Sequence, residues 1–138
     1  MQRPMGVTIL AVLAAIGGVL GICGSLAVVV GGSFLGFFGA AAGAAGATAA
    51  GGVIFIYGFV LLALSVAELV FAYGAWTLKP WAWMLGLVLA GLNVVWTLVA
   101  VVIGWTSLDF TTIIGLAING VIIYYLNTAD VKQAFGRA

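Results

Sequence analysis

Apolar and polar positions divide this chain into long uninterrupted apolar runs separated by very short polar breaks. From Pro4 to Ala67 no residue is charged. The breaks fall at Thr77-Leu78-Lys79-Pro80, at Trp105 to Asp109, and after Leu126. A membrane-crossing helix needs about 20 predominantly apolar residues. The runs 5–30, 52–76, 81–104 and 107–126 each meet that length, which predicts four transmembrane helices. The segment 31–51, rich in Gly and Ala, is the difficult one. If it crossed, Lys79, Lys132 and Arg137 would lie opposite Arg3. If it does not cross, all four cations share one side, as the positive-inside rule prefers. The expectation is therefore an outer loop or short re-entrant helix, with Phe34, Phe37 and Phe38 in the interface.

The flanks agree with this threading. Met1 to Pro4 reads as a short cytoplasmic leader, with Pro4 suited to a first helical turn. Tyr73, Trp76, Trp81 and Trp83 form an inner aromatic belt, Trp105 marks the outer interface, and Tyr124-Tyr125 return to the inner one. Thr106 and Asp109 have the spacing of a capping box, which would start the last span at Ser107. Asn127 and Asp130 repeat that spacing. Val131, Ala134 and Phe135 then recur at helical intervals, so 127–138 reads as a cytoplasmic interfacial helix with its apolar side on the membrane. Gly136 ends it. The expected fold class is all-α: a single polytopic membrane domain with both termini cytoplasmic.

Composition restricts the class further. Of 138 residues 66% are hydrophobic and 5% charged, with mean hydropathy +1.38. Soluble domains carry about 25% charged residues, and a soluble core of this size could not be covered by so few. The 138 residues leave no room for a separate catalytic domain. With no histidine, one cysteine (Cys23) and three acids, the usual thiolate and imidazole metal clusters cannot be assembled. Nucleophile–histidine constellations are excluded as well. The reading is no enzyme, no cofactor and no metal site. A net charge of +1 without a basic patch argues against nucleic acid; the lipid bilayer is the expected partner.

Polar residues inside the spans are the candidates for function. Glu68 is the single acid or base deep within an apolar run, and such a group must face protein or water. Measured from the inner ends of their spans, Glu68 lies about 12–14 Å deep, Asn93 about 18 Å and Asn119 about 10 Å, at about 1.5 Å per residue. One polar level is thus geometrically possible, with Ser65 and Thr97 nearby in sequence. In a structural role, a neutral Glu68 carboxyl donates to Asn93 or Asn119 and fixes helix register, worth about 0.6–2 kcal/mol per bond. In a functional role, it exchanges protons as a substrate or ion moves. Trp96, an aromatic away from the belts, is either filler or part of a lipophilic pocket. Gly17, Gly21, Gly24 and Ser25 form a small-residue face of the first span, suited to close helix packing.

The segments Arg3-Pro4-Met5-Gly6-Val7-Thr8-Ile9-Leu10, Lys79-Pro80-Trp81-Ala82-Trp83 and Tyr125-Leu126 with Val131-Lys132-Gln133-Ala134-Phe135-Gly136 resemble a broad group of small prokaryotic membrane proteins of unknown function. The resemblance implies a four-span membrane fold and no particular activity. By architecture the chain also looks like the small multidrug-resistance exporters, although those carry their glutamate in the first span and this chain does not. Together these features lead to the expectation of a structural or accessory subunit of a homo-oligomer or larger membrane complex. The alternative is a small proton-coupled transporter or channel that uses Glu68.

Overall fold

The computed structural model describes residues 4–137 and is helical throughout, with no strand among them. Five helices follow in order: α1 (Met5–Ala41), α2 (Ala45–Trp76), α3 (Pro80–Val102), α4 (Phe110–Leu126) and α5 (Ala129–Ala134). The first three are long and apolar enough to cross a membrane. Their outward faces are apolar: Leu20 is 67% exposed, Ile56 65% and Val102 84%. Such surface suits hydrocarbon, where apolar exposure has no cost. Arg3, expected as a positive flank, lies outside the described residues.

The described residues form two compact units, 13–70 and 4–12 with 71–137. In the first, the segment 31–51, expected as an outer loop or short re-entrant helix, is helical on both sides of a turn at 42–44 and continuous with the flanking helices. The glycines that suggested a break serve contact. Along α1 the buried positions Gly18, Ser25, Gly32 and Gly39 recur every seven residues, and along α2 so do Gly51, Gly58 and Ser65. A Cβ on Gly32 would fall 2.6 Å from the Phe55 nitrogen, and one on Gly39 2.7 Å from the Thr48 nitrogen. One on Gly51 would overlap the Gly36 backbone. Gly18 faces Leu69, Gly32 faces Phe55 and Gly39 faces Thr48, and the residue numbers of each facing pair have one constant total, as an antiparallel register demands. The helices therefore meet backbone to backbone. A hairpin whose small residues keep a seven-residue period coils left-handed.

The hydroxyls in this seam are satisfied locally. Ser25 Oγ donates to the Ile22 carbonyl at 3.0 Å and Ser65 Oγ to the Leu61 carbonyl at 2.8 Å. Neither needs a donor or acceptor from the facing helix, so the seam holds by contact alone. Gly43, at φ +68°, supplies the left-handed residue that closes α1. At about 1.5 Å per residue, α1 and α2 run about 55 and 48 Å.

The second unit places α3 and α4 side by side. Ala82, Gly86 and Ala90, buried at intervals of four, form the inward stripe of α3. Gly86 admits Phe71 and Leu126, whose side chains would collide with any Cβ there. Lys79 and Pro80 open α3 as the sequence suggested, with Pro80 at the first turn. The turn before them contains Leu78 at φ +53°, a left-handed conformation ordinarily left to glycine.

Two expected caps are corrected. The last long helix begins at Phe110 rather than Ser107, because Asp109 itself is the N-cap and accepts from the Thr112 N–H at 2.9 Å. The acid that had been assigned to the third turn position closes the helix directly. Asn127 does not start α5. It ends α4, its Nδ2 donating to the Ile123 carbonyl at 2.9 Å, and Thr128 takes the N-cap position of α5. The apolar side of α5 is not offered to lipid either. Val131 and Phe135, one turn apart on one face, are each 1% exposed, as are Leu126 and Val7. The tail is folded into the protein.

Candidate functional site

The polar residues singled out in the spans divide between the two units, and each group is described by itself. In the first unit, Glu68 lies on α2 one turn beyond Ser65. Its Oε2 would stand 3.5 Å from a Cβ on Gly17 of α1, so the carboxyl lies across the hairpin at the edge of the glycine seam. A Cβ on Gly17 would make ordinary contact with the carboxyl. Glu68 is half-buried and makes no hydrogen bond within its unit among the described residues.

The predicted packing face on α1 separates into three parts. Gly21 and Ser25 belong to the seam, Gly21 fitting directly under the Ser65 side chain. Gly17 belongs to the carboxyl. Gly24 faces outward, and a Cβ there would meet nothing within 4 Å. A further close position, Gly18, was missed; a Cβ on it would meet Leu69 at 2.7 Å and the Ser65 carbonyl at 3.1 Å. Its signal was present in the period of seven through Ser25, Gly32 and Gly39, rather than in the local cluster of small residues.

In the second unit α3 and α4 bring Asn93 and Asn119 together. Asn119 Nδ2 donates to Asn93 Oδ1 at 3.1 Å and also to the Gly115 carbonyl of its own helix at 2.9 Å. Thr97 Oγ1 donates to the Asn93 carbonyl at 2.8 Å. The carboxamide of Asn93 is exposed and that of Asn119 half-buried, so the pair presents unused donors and acceptors outward from two apolar helices. Trp96 takes no part in this pair. Its ring meets that of Trp105 edge to face, centroids 6.3 Å apart, and the residue is half exposed. The two rings form an exposed aromatic cluster.

A second arrangement was not foreseen. Trp83 Nε1–H donates to the Leu126 carbonyl at 2.6 Å, which fixes the indole against the end of α4. Lys132 Nζ and Arg137 Cζ lie 5.9 and 5.5 Å from the centroid of the same ring. The signal lay in the C-terminal Lys132 and Arg137, which the sequence presents only as separate flanking charges.

Among the described residues no group of three or more His, Cys, Asp or Glu side chains is placed to hold a metal ion. Cys23 is exposed and unpaired in a disulfide. Asp109, at the solvent-exposed start of α4, is held below the usual carboxylate range by the Thr112 backbone N–H first and by the Thr112 hydroxyl second. Its work is capping. Comparison with protein-family models, curated proteins and solved structures finds no match.

Proposed function

We propose that this protein is a non-enzymatic integral membrane protein that works as a structural or accessory subunit of a homo-oligomer or larger membrane complex. The observation that carries the reading is the outward-facing Asn93–Asn119 pair. Hydrocarbon cannot satisfy its unused donors and acceptors, and interhelical carboxamide bonds are a common means of helix association in lipid. The open glycine at Gly24 offers a further place for close helix approach.

In this reading α4 is the fourth span, although its 17 residues give only about 26 Å against a hydrocarbon thickness of about 30 Å. Local thinning or the flanking aromatics compensate a shortfall of that size at modest cost. Both termini are then cytoplasmic, with Lys79, Lys132 and Arg137 on the inner side. Single-molecule photobleaching of the labelled protein in bilayers tests the assembly. We expect multi-step bleaching for the natural chain and a lower step number for Asn93→Leu/Asn119→Leu. Single-step bleaching of the natural chain refutes the homo-oligomer.

A second reading is supported by Glu68, a half-buried carboxyl without a hydrogen-bond partner in its own unit. Such a group suits a small proton-coupled transporter or channel. Proton-driven uptake of ions and lipophilic cations into liposomes tests it. Flux that disappears in a folded Glu68→Gln variant supports the transporter; equal flux in both removes Glu68 from the mechanism.

A further inference from the structure

The end of the second unit where α3 begins and α4 finishes sets two cations over one indole, with a third at the start of α3. Lys79 is the N-cap of α3, four residues before Trp83. The bond from Trp83 Nε1 to the Leu126 carbonyl holds the ring in place. α5 then carries Lys132 to the ring. Gly136, at φ +67°, reverses the chain so that the Arg137 N–H donates back to the Lys132 carbonyl at 2.7 Å. That reversal is what brings the Arg137 guanidinium over the same indole as Lys132. Gly136 itself passes beside Pro80, so the end of α5 and the start of α3 are neighbours.

The indole attracts these cations without neutralising them. Among the described residues, none of the side chains of Lys79, Lys132 and Arg137 donates a hydrogen bond or pairs with a carboxylate. Asp130, the acid on α5, is exposed and forms no ion pair among them. Two like charges held close to one ring, with all their donors free, are a standing electrostatic cost unless an anion joins them. An arginine beside a lysine suits phosphate, the guanidinium meeting two of its oxygens while the ammonium supplies a compact charge. Trp81 and Tyr124, exposed in the same unit, belong to the residue types that settle at headgroup depth.

We propose that Lys132 and Arg137, held over Trp83, together with Lys79 at the start of α3, form a binding site for the phosphate group of anionic phospholipids at the membrane surface. The proposal rests on the membrane placement argued above. It also gives the α5 tail a purpose, because the buried Val131 and Phe135 fix the helix so that its cations meet a headgroup.

The test uses the full chain in nanodiscs of mixed phosphatidylglycerol and phosphatidylcholine, with the lipids retained after detergent extraction counted by native mass spectrometry. The natural chain should retain phosphatidylglycerol preferentially. Each of Lys79→Gln, Lys132→Gln and Arg137→Gln should lower that preference about fivefold, the equivalent of one interfacial cation. Lys79→Gln leaves both Trp83 contacts intact, so its effect reads charge and not folding; helix content by circular dichroism checks the others. An unchanged preference in the Lys79→Gln and triple variants overturns the site. Binding of inorganic phosphate by the natural chain with no preference for phosphatidylglycerol over phosphatidylcholine also overturns it, by assigning the site to the free anion. A chain that fails to enter the discs instead overturns the membrane placement itself.

Discussion

Gly51 of α2 lies so close to Gly36 of α1 that a Cβ on Gly51 would overlap the Gly36 backbone. This contact, repeated along the hairpin at Gly32 and Gly39, makes the absence of side chains the binding principle of the first unit. Close backbone approach takes the place of a hydrophobic driving force, which lipid does not supply.

Gly51→Leu should therefore disrupt the hairpin. Overpacking a tight interface costs about 1–3 kcal/mol, and here the obstacle is backbone, which cannot swing aside. Gly24→Ala is the counterpart. With open space around it and helical backbone, it should leave stability unchanged or raise it by up to about 1 kcal/mol, the difference in helix propensity. Thermal unfolding in detergent, followed by circular dichroism, should separate the two by sign.

Trp83→Phe keeps an aromatic ring but loses the N–H donated to the Leu126 carbonyl. A net loss of about 0.5–1.5 kcal/mol is expected for the bond. Hydrogen exchange localises it: amides in the last turn of α4 and in α5 should exchange faster, while those in the 13–70 hairpin keep their protection.

Asn93 and Asn119 should be coupled. A double-mutant cycle with Asn93→Ala and Asn119→Ala is expected to give about 0.6 kcal/mol, and at most about 1.7 kcal/mol, the range of polar bonds between helices in membranes. Steric-trap unfolding in bicelles provides the four stabilities. A coupling of zero would show that the bond is absent in lipid.

Asp109 gives stability a pH dependence of known sign. Its folded pKa is lowered from 3.8 because Thr112 hydrogen bonds favour the charged form. A depressed carboxylate contributes stability that is fully present above the unfolded pKa and lost as pH falls through the folded one. Asp109→Ala should thus be less stable than the natural chain by a constant margin from pH 7 to about 5. The margin should narrow progressively as pH falls below 3.8, where the carboxylate protonates. A margin that widens on acidification contradicts this assignment.

The positions of the breaks were legible in the sequence because Lys79-Pro80 and Trp105 to Asp109 interrupt otherwise unbroken apolar runs. The continuity of 31–51 with both flanking helices was not. Glycine is a poor helix former in water, and a Gly/Ala tract between two spans reads by propensity as a loop. Packing overrides that propensity, and the usable signal was the seven-residue interval joining Gly18 to Gly39 and Gly51 to Ser65. The asparagines were recognised as polar residues in apolar helices, but only α3–α4 packing makes them a pair. Trp83 was read as part of an aromatic belt. Its partners Lys132 and Arg137 lie about fifty residues away; α5 brings Lys132 back to it, and the glycine reversal at Gly136 brings Arg137.

Because every rung of the α1–α2 seam repeats at the same interval, the hairpin has a modular length. Removing residues 33–39 together with 48–54 would take one rung from each arm and leave every remaining pair facing its present neighbour. Removing five residues from each arm would turn the small positions away from each other instead. The distance the hairpin reaches is thus adjustable in whole repeats, by paired insertion or deletion, with the turn at 42–44 and its flanks carried along unchanged.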